Sequence, residues 1–155
     1  MKKIVIIIIV LVLVHCAGFL LFINVFSLQE NVDLIEVISP HVVGSDTIDF
    51  DVMTTDFEWD ELLIIRPYAD YRRLLKEEKV SWRRIDNHAR HSDISSLLIF
   101  VNNKKIVAYV NYPRHNVSFG YEHGAFQRDS SKFRVERGTH AGRPWYTIRH
   151  HRADE

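Results

Sequence analysis

The sequence predicts an α+β protein: an N-terminal transmembrane helix followed by a small antiparallel sheet with one main amphipathic helix. Three observations carry this. Residues 4–26 contain no charged side chain; the β-rich runs Leu97–Val101 and Ile106–Val110 flank Asn102-Asn103-Lys104-Lys105; and Tyr71, Leu74 and Leu75 recur at helical spacing. Composition narrows the class further. The 155 residues are 46% apolar with 9 Phe, 6 Tyr and 3 Trp against 6 Gly and 4 Pro, which is enough apolar side chain for a core and excludes a disordered or collagen-like chain. A net charge of +0 excludes a uniformly basic nucleic-acid binder, and a single Cys excludes a disulfide scaffold or a Cys-rich zinc site.

Of the 23 residues from Ile4 to Phe26, 18 are Ile, Leu, Val or Phe. As a helix they would reach ~34 Å, enough for a ~30 Å hydrocarbon core. At ~0.3 to 0.6 kcal/mol per apolar residue, insertion outweighs the cost of His15 and Asn24. The bilayer is therefore the expected partner of residues 4–26. Two other readings stand beside the anchor. Lys2 and Lys3 ahead of Ile4 to Val14 resemble a cleavable signal, and Leu13-Val14-His15-Cys16 resembles a lipoprotein site with lipid on Cys16, although His15 is large for that position and the chain stays apolar beyond it. Lys2 and Lys3 on one flank put the N-terminus in the cytoplasm and the remainder outside, in the inner or cell membrane of a bacterium.

The expected organisation is an anchor over 1–27, an acidic stalk and entry strand over 28–53, and an α+β extracytoplasmic domain over 54–152. Between Leu28 and Ile65 there are ten acids and no Lys or Arg; from Arg66 onward there are 18 bases and 10 acids. An acidic first third lying against a basic remainder, or staying solvated next to the membrane, is the simplest account, with an anionic partner such as lipid headgroups or a wall or envelope polymer, or an envelope protein, otherwise. Ser39-Pro40 and Gly44-Ser45-Asp46 read as turns, and Ile48, Phe50 and Val52 alternate with Asp49 and Asp51 as a half-exposed strand. Leu62-Leu63-Ile64-Ile65, closed by Arg66-Pro67, reads as a buried strand. The segment from Asp70 to Val80 reads as the amphipathic helix. The hairpin's first arm is apolar on both faces, so it belongs in the middle of a sheet with a helix over one side. Residues 120–131 read as a loop, and Phe133–Arg137 with Pro144–His150 as a second strand pair, for three to five antiparallel strands in all.

No reaction is signalled. Nine histidines invite a metal reading, but His88 and His91, or His150 and His151, bring no Cys and no third-ligand spacing, so no metal or cofactor is expected. Asp56, Glu58 and Asp60 have the period of a solvated strand edge. The serines lack a nucleophile motif. The interleaved arginines and aromatics of the C-terminal half would suggest nucleic acid in a cytoplasmic protein, and export removes that partner.

The ordered set Phe57-Glu58-Trp59-Asp60, Ile65-Arg66-Pro67-Tyr68, Leu98 to Val110 through the hairpin, and Pro113-Arg114 resembles an uncharacterised family of small exported or membrane-anchored bacterial proteins. Gly142-Arg143-Pro144-Trp145 is similar to the closing strand of that family. Asn103-Lys104 stands where the family turn has Asp-Gly, and Arg66 where a small residue precedes the proline. The resemblance spans about 56–148 and implies location and fold without supplying catalytic residues. Trp59 and Tyr68, which bracket the buried strand, are expected in the core, and Asp60 is expected to pair with Arg114 or another arginine. Asp60, Tyr68, Arg114 and His115 are the candidate binding residues. The expected role is a binding or structural one; a pocket joining Asp60, Tyr68 and His115 would favour an envelope enzyme acting on a wall or lipid substrate, and a stable partner would favour a membrane-tethered interaction or immunity-type protein.

Overall fold

A computed structural model describes residues 30–80, 94–119 and 122–151, with Leu11, Val12, His15 and Leu28 singly. Eleven elements follow one another: α1 (Asp33–Gly44), β1 (Thr47–Asp49), α2 (Phe50–Met53), β2 (Glu61–Ile65), α3 (Tyr71–Glu77), β3 (Ser95–Asn102), β4 (Lys105–Pro113), β5 (Val117–Ser118), β6 (Gly124–Gln127), β7 (Lys132–His140) and β8 (Arg143–His150). The strands form two four-stranded sheets, one ordered β1-β7-β8-β5 and the other β4-β3-β2-β6. All pairings are antiparallel except β5 with β8.

The sequence expectation of an α+β fold holds, with more strands than expected and a different division of the helices. The central strands β2 and β3 are apolar on both faces because each face meets its own cluster. Leu62, Ile64, Leu98 and Phe100 point into a core shared with α1 (Leu34, Ile38, Val42) and with Phe133, Val135 and Ile148 of the other sheet. Leu63, Ile65, Leu97 and Ile99 point the other way, onto Tyr71, Leu74 and Leu75 of α3. The result is three layers: the β7/β8 sheet with α1, the β2/β3 sheet, and α3.

α3 starts where the sequence places it. The Asp70 carboxylate accepts the Arg72 and Arg73 backbone N–H groups at 3.1 and 3.2 Å, satisfying two donors of the first turn. The β3–β4 turn has Asn103 at φ 49° and Lys104 at φ 60°. Both lie in the left-handed region, the geometry that matches a two-residue turn to strand twist, which is why Asn-containing pairs are selected there. A register shift between Phe100 and Val101 leaves Val107 as an extra residue in β4, a bulge that lets Val107 and Ala108 both serve the first cluster.

Four expectations over 28–131 need correction. The expected stalk is largely α1, packed into the core; Pro40 lies inside it with Pro40 and Glu36 both exposed, so the carbonyl that loses its donor faces water and the helix continues. The strand expected through Val52 ends at Asp49, whose side chain accepts the Asp51 N–H at 3.1 Å and turns Phe50–Met53 into a short helix, leaving Val52 70% exposed. Asp56, Glu58 and Asp60 precede β2 and form no strand edge. The expected loop over 120–131 contains β6, which pairs with β2, and a tight 3-10 turn. Strand β6 was missed because four residues with one Gly carry too little pattern; its partner β2 supplies the stability.

Ion pairs tie the acidic first third to the basic remainder. Arg128 bridges Asp51 at 2.5 Å and Glu58 at 3.4 Å, Arg137 pairs with Asp46, and Lys104 reaches Glu61 at 3.0 Å. Among the described residues no helix is long and apolar enough to cross a membrane. The apolar segment 4–26 lies almost wholly outside them, as do His88 and His91.

Candidate functional site

A cleft bordered by described residues has a volume of about 330 Å³ and opens at one end of the β2/β3 sheet. Its walls come from three neighbouring places. Arg66, Pro67, Tyr68 and Ala69 follow β2; Ser96 is the second residue of β3; Arg114 lies beyond β4 and Ser118 on β5. The register brings them together, since Ile65 faces Leu97, Leu97 faces Asn111 and Ser96 faces Tyr112 across adjacent strands.

Tyr68 and Arg114, two of the four sequence candidates, therefore share this cleft. Tyr68 is not in the core: it is 84% exposed with φ at 64°, because the turn after Pro67 throws its ring outward before α3 begins. Trp59, its expected companion, is buried, with its indole N–H donating to the Thr54 carbonyl at 3.3 Å and its ring edge-on to Phe100 at 5.3 Å. Asp60 is elsewhere. It lies at the opposite end of five-residue β2, where its carboxylate accepts the Asn103 N–H at 2.8 Å and holds the hairpin turn; it does not pair with Arg114. His115 is exposed and does not line the cleft. The pocket joining Asp60, Tyr68 and His115 thus does not form.

Arg66, Ser96 and Ser118 line the cleft and were not among the binding residues read from the sequence. Among the described residues, Arg66 and Arg114 have no ion-pair partner and no carboxylate lines the cleft. Ser96 is 2% exposed and lines the cleft. Ser118 adds a second hydroxyl. The backbone N–H of Arg114 donates to the Ile94 carbonyl at 2.9 Å, fixing the residue after β4 against the start of β3. His123, ahead of β6, is affected by the same charge. Partial burial of its ring lowers its pKa, a hydrogen bond with the Ile64 backbone opposes this, and the Arg66 guanidinium lowers it further. Two guanidiniums without an ion-pair partner and two serine hydroxyls border one space, a donor-rich lining of the kind that suits an anion.

A second hollow near Leu34, Met53 and Phe57 measures only about 70 Å³ and is bordered by Asp33 and Asp56. Among the described residues no three His, Cys, Asp or Glu side chains converge as metal ligands. No family model, curated protein or solved structure matches the chain.

Proposed function

We propose that this chain is a single-pass membrane protein, N-terminus in the cytoplasm, whose extracytoplasmic α+β domain binds a ligand in the Tyr68–Arg114 cleft rather than catalysing a reaction. The observation that carries the anchor is the uncharged run 4–26, with Lys2 and Lys3 ahead of it and Glu30, Asp33 and Glu36 behind. The observation that supports binding is a cleft whose lining, among the described residues, offers arginines and hydroxyls and no carboxylate or histidine to act as a general base.

The test is protease accessibility of a C-terminal tag in intact cells, with the protein's mass read from the same gel. A full-length chain digested from outside, or after outer-membrane permeabilisation, is the expected result. A protected tag reverses the topology, and a mass short by the first 15 or more residues replaces the anchor with a cleaved signal or a lipid on Cys16.

A further inference from the structure

We infer that the cleft end of the β2/β3 sheet is the face the domain presents to the bilayer, and that Arg66 and Arg114 receive the phosphate of an anionic lipid headgroup there. The inference rests on the proposed anchor over 4–26 and adds an orientation and a ligand to it.

The path of the chain into the domain points to this end. The Asn31 N–H donates to the Tyr109 carbonyl at 2.8 Å, and one residue earlier the Glu30 carboxylate accepts the Asn111 backbone and side-chain N–H groups at 2.7 and 3.1 Å. Followed backward from Asn31, the chain thus runs along β4 toward Pro113, and Leu28 still packs on the cluster beneath α3. Asn111 lies in the row Ile65–Leu97–Asn111, one step from Arg66 and Ser96 and three residues before Arg114. Glu30 thus lies one strand row from Arg66 and Ser96, and in sequence only three residues separate it from the proposed anchor over 4–26.

The side chains exposed at that end suit a headgroup layer. Tyr68 is 84% exposed and Ile94 73%, and each adjoins one of the arginines: Tyr68 two residues after Arg66, Ile94 joined through its carbonyl to Arg114. Amphipathic aromatic and apolar side chains beside unpaired guanidiniums match the interfacial zone, where rings sit at headgroup level and each arginine gains from anionic lipid. At the opposite end the hairpin turn carries Lys104 and Lys105 beside Asp60, Glu61 and Glu78, and Lys104 is within ion-pair reach of the last two, so this end offers an anionic surface no surplus of positive charge.

The experiment uses the full chain in lipid nanodiscs, in a Cys16→Ala background. An environment-sensitive fluorophore is placed on Ile94→Cys or, as the far-end control, on Lys105→Cys, and quenching by headgroup spin-labelled lipid is measured in phosphatidylcholine with and without phosphatidylglycerol. Stronger quenching at 94 than at 105, rising with phosphatidylglycerol, is expected. Each of Arg66→Gln and Arg114→Gln should lower the docked-to-undocked ratio about five-fold in the anionic discs, whereas Arg66→Lys with Arg114→Lys should retain the dependence on phosphatidylglycerol. Equal quenching at both positions, or indifference to the two arginines in a chain that melts like the parent, overturns the docking while leaving the anchor intact. Saturable binding of inorganic phosphate that needs both arginines, with no effect of phosphatidylglycerol, also overturns it and assigns the cleft to a soluble phosphate. A chain recovered free of the discs removes the anchor and the docking together.

Discussion

Replacing Trp59 by Ala tests whether the three-layer core is held as described. The indole is 2% exposed, packs edge-on to Phe100 at 5.3 Å, lies under the Arg128 guanidinium at 5.3 Å and donates to the Thr54 carbonyl. An aromatic of this size buries roughly 150–250 Å², which at ~25 cal/mol per Å² gives about 4 to 6 kcal/mol for the lost apolar contact. Observed Trp→Ala costs in cores fall at ~3 to 5 kcal/mol, and the orphaned Thr54 carbonyl adds roughly 1 kcal/mol unless water reaches it. Trp59→Ala should therefore cost about 4 to 5 kcal/mol in urea unfolding of the full chain in detergent micelles, followed by circular dichroism. Trp59→Phe retains the edge contact with Phe100 and loses only part of the volume and the N–H, so about 1 to 2 kcal/mol is expected. A cost below about 1 kcal/mol for Trp59→Ala, a typical surface value, would refute the core assignment and make Trp59 a candidate binding residue.

Other perturbations probe local rules. Asp70→Ala removes the acceptor for two first-turn N–H groups of α3 and should cost about 1 kcal/mol in the same unfolding assay, with Asp70→Asn largely restoring it. Gly142 has φ at +75° with open space around its missing Cβ, so Gly142→Ala meets only backbone strain and should cost about 1 to 2 kcal/mol; a neutral result would mean that the β7–β8 turn adopts another geometry. The Glu136 carboxylate is held below its ordinary pKa, chiefly by its hydrogen bond from Arg149. A depressed acid stabilises the fold above the unfolded carboxylate pKa, and the contribution fades as pH falls through the folded value. Arg149→Gln should therefore flatten the acid limb of stability against pH below about 4.3 and leave the limb above neutrality unchanged; an unaltered acid limb would exclude the pair as a contributor.

Strong local patterns were legible in the sequence. The β3–β4 hairpin, buried β2, the Asp70-capped helix and the β7–β8 pair all have enough apolar periodicity, or enough turn chemistry at Asn103-Lys104 and Gly142, to settle their own conformation. The central position of β3 also followed from its composition, because a strand apolar on both faces needs a layer on each side. The uncharged run 4–26 likewise needs no fold to state its preference for hydrocarbon.

Tertiary structure decided what short or mixed segments do. α1 continues through Pro40 because Leu34, Ile38 and Val42 bury one face while the proline sits on the other, and no local rule around Ser39-Pro40 reports that burial. β6 exists because β2 offers it an edge. Tyr68 and Trp59 look alike in sequence, each flanking the same strand, yet one is exposed and the other buried, since the turn after Pro67 points outward while the loop before β2 folds under Phe100. Arg66, Ser96 and Arg114 are up to 48 positions apart, and only strand register sets them around one space. Spacing along the chain conveys local conformation; a site assembled from the ends of three strands is a property of their pairing.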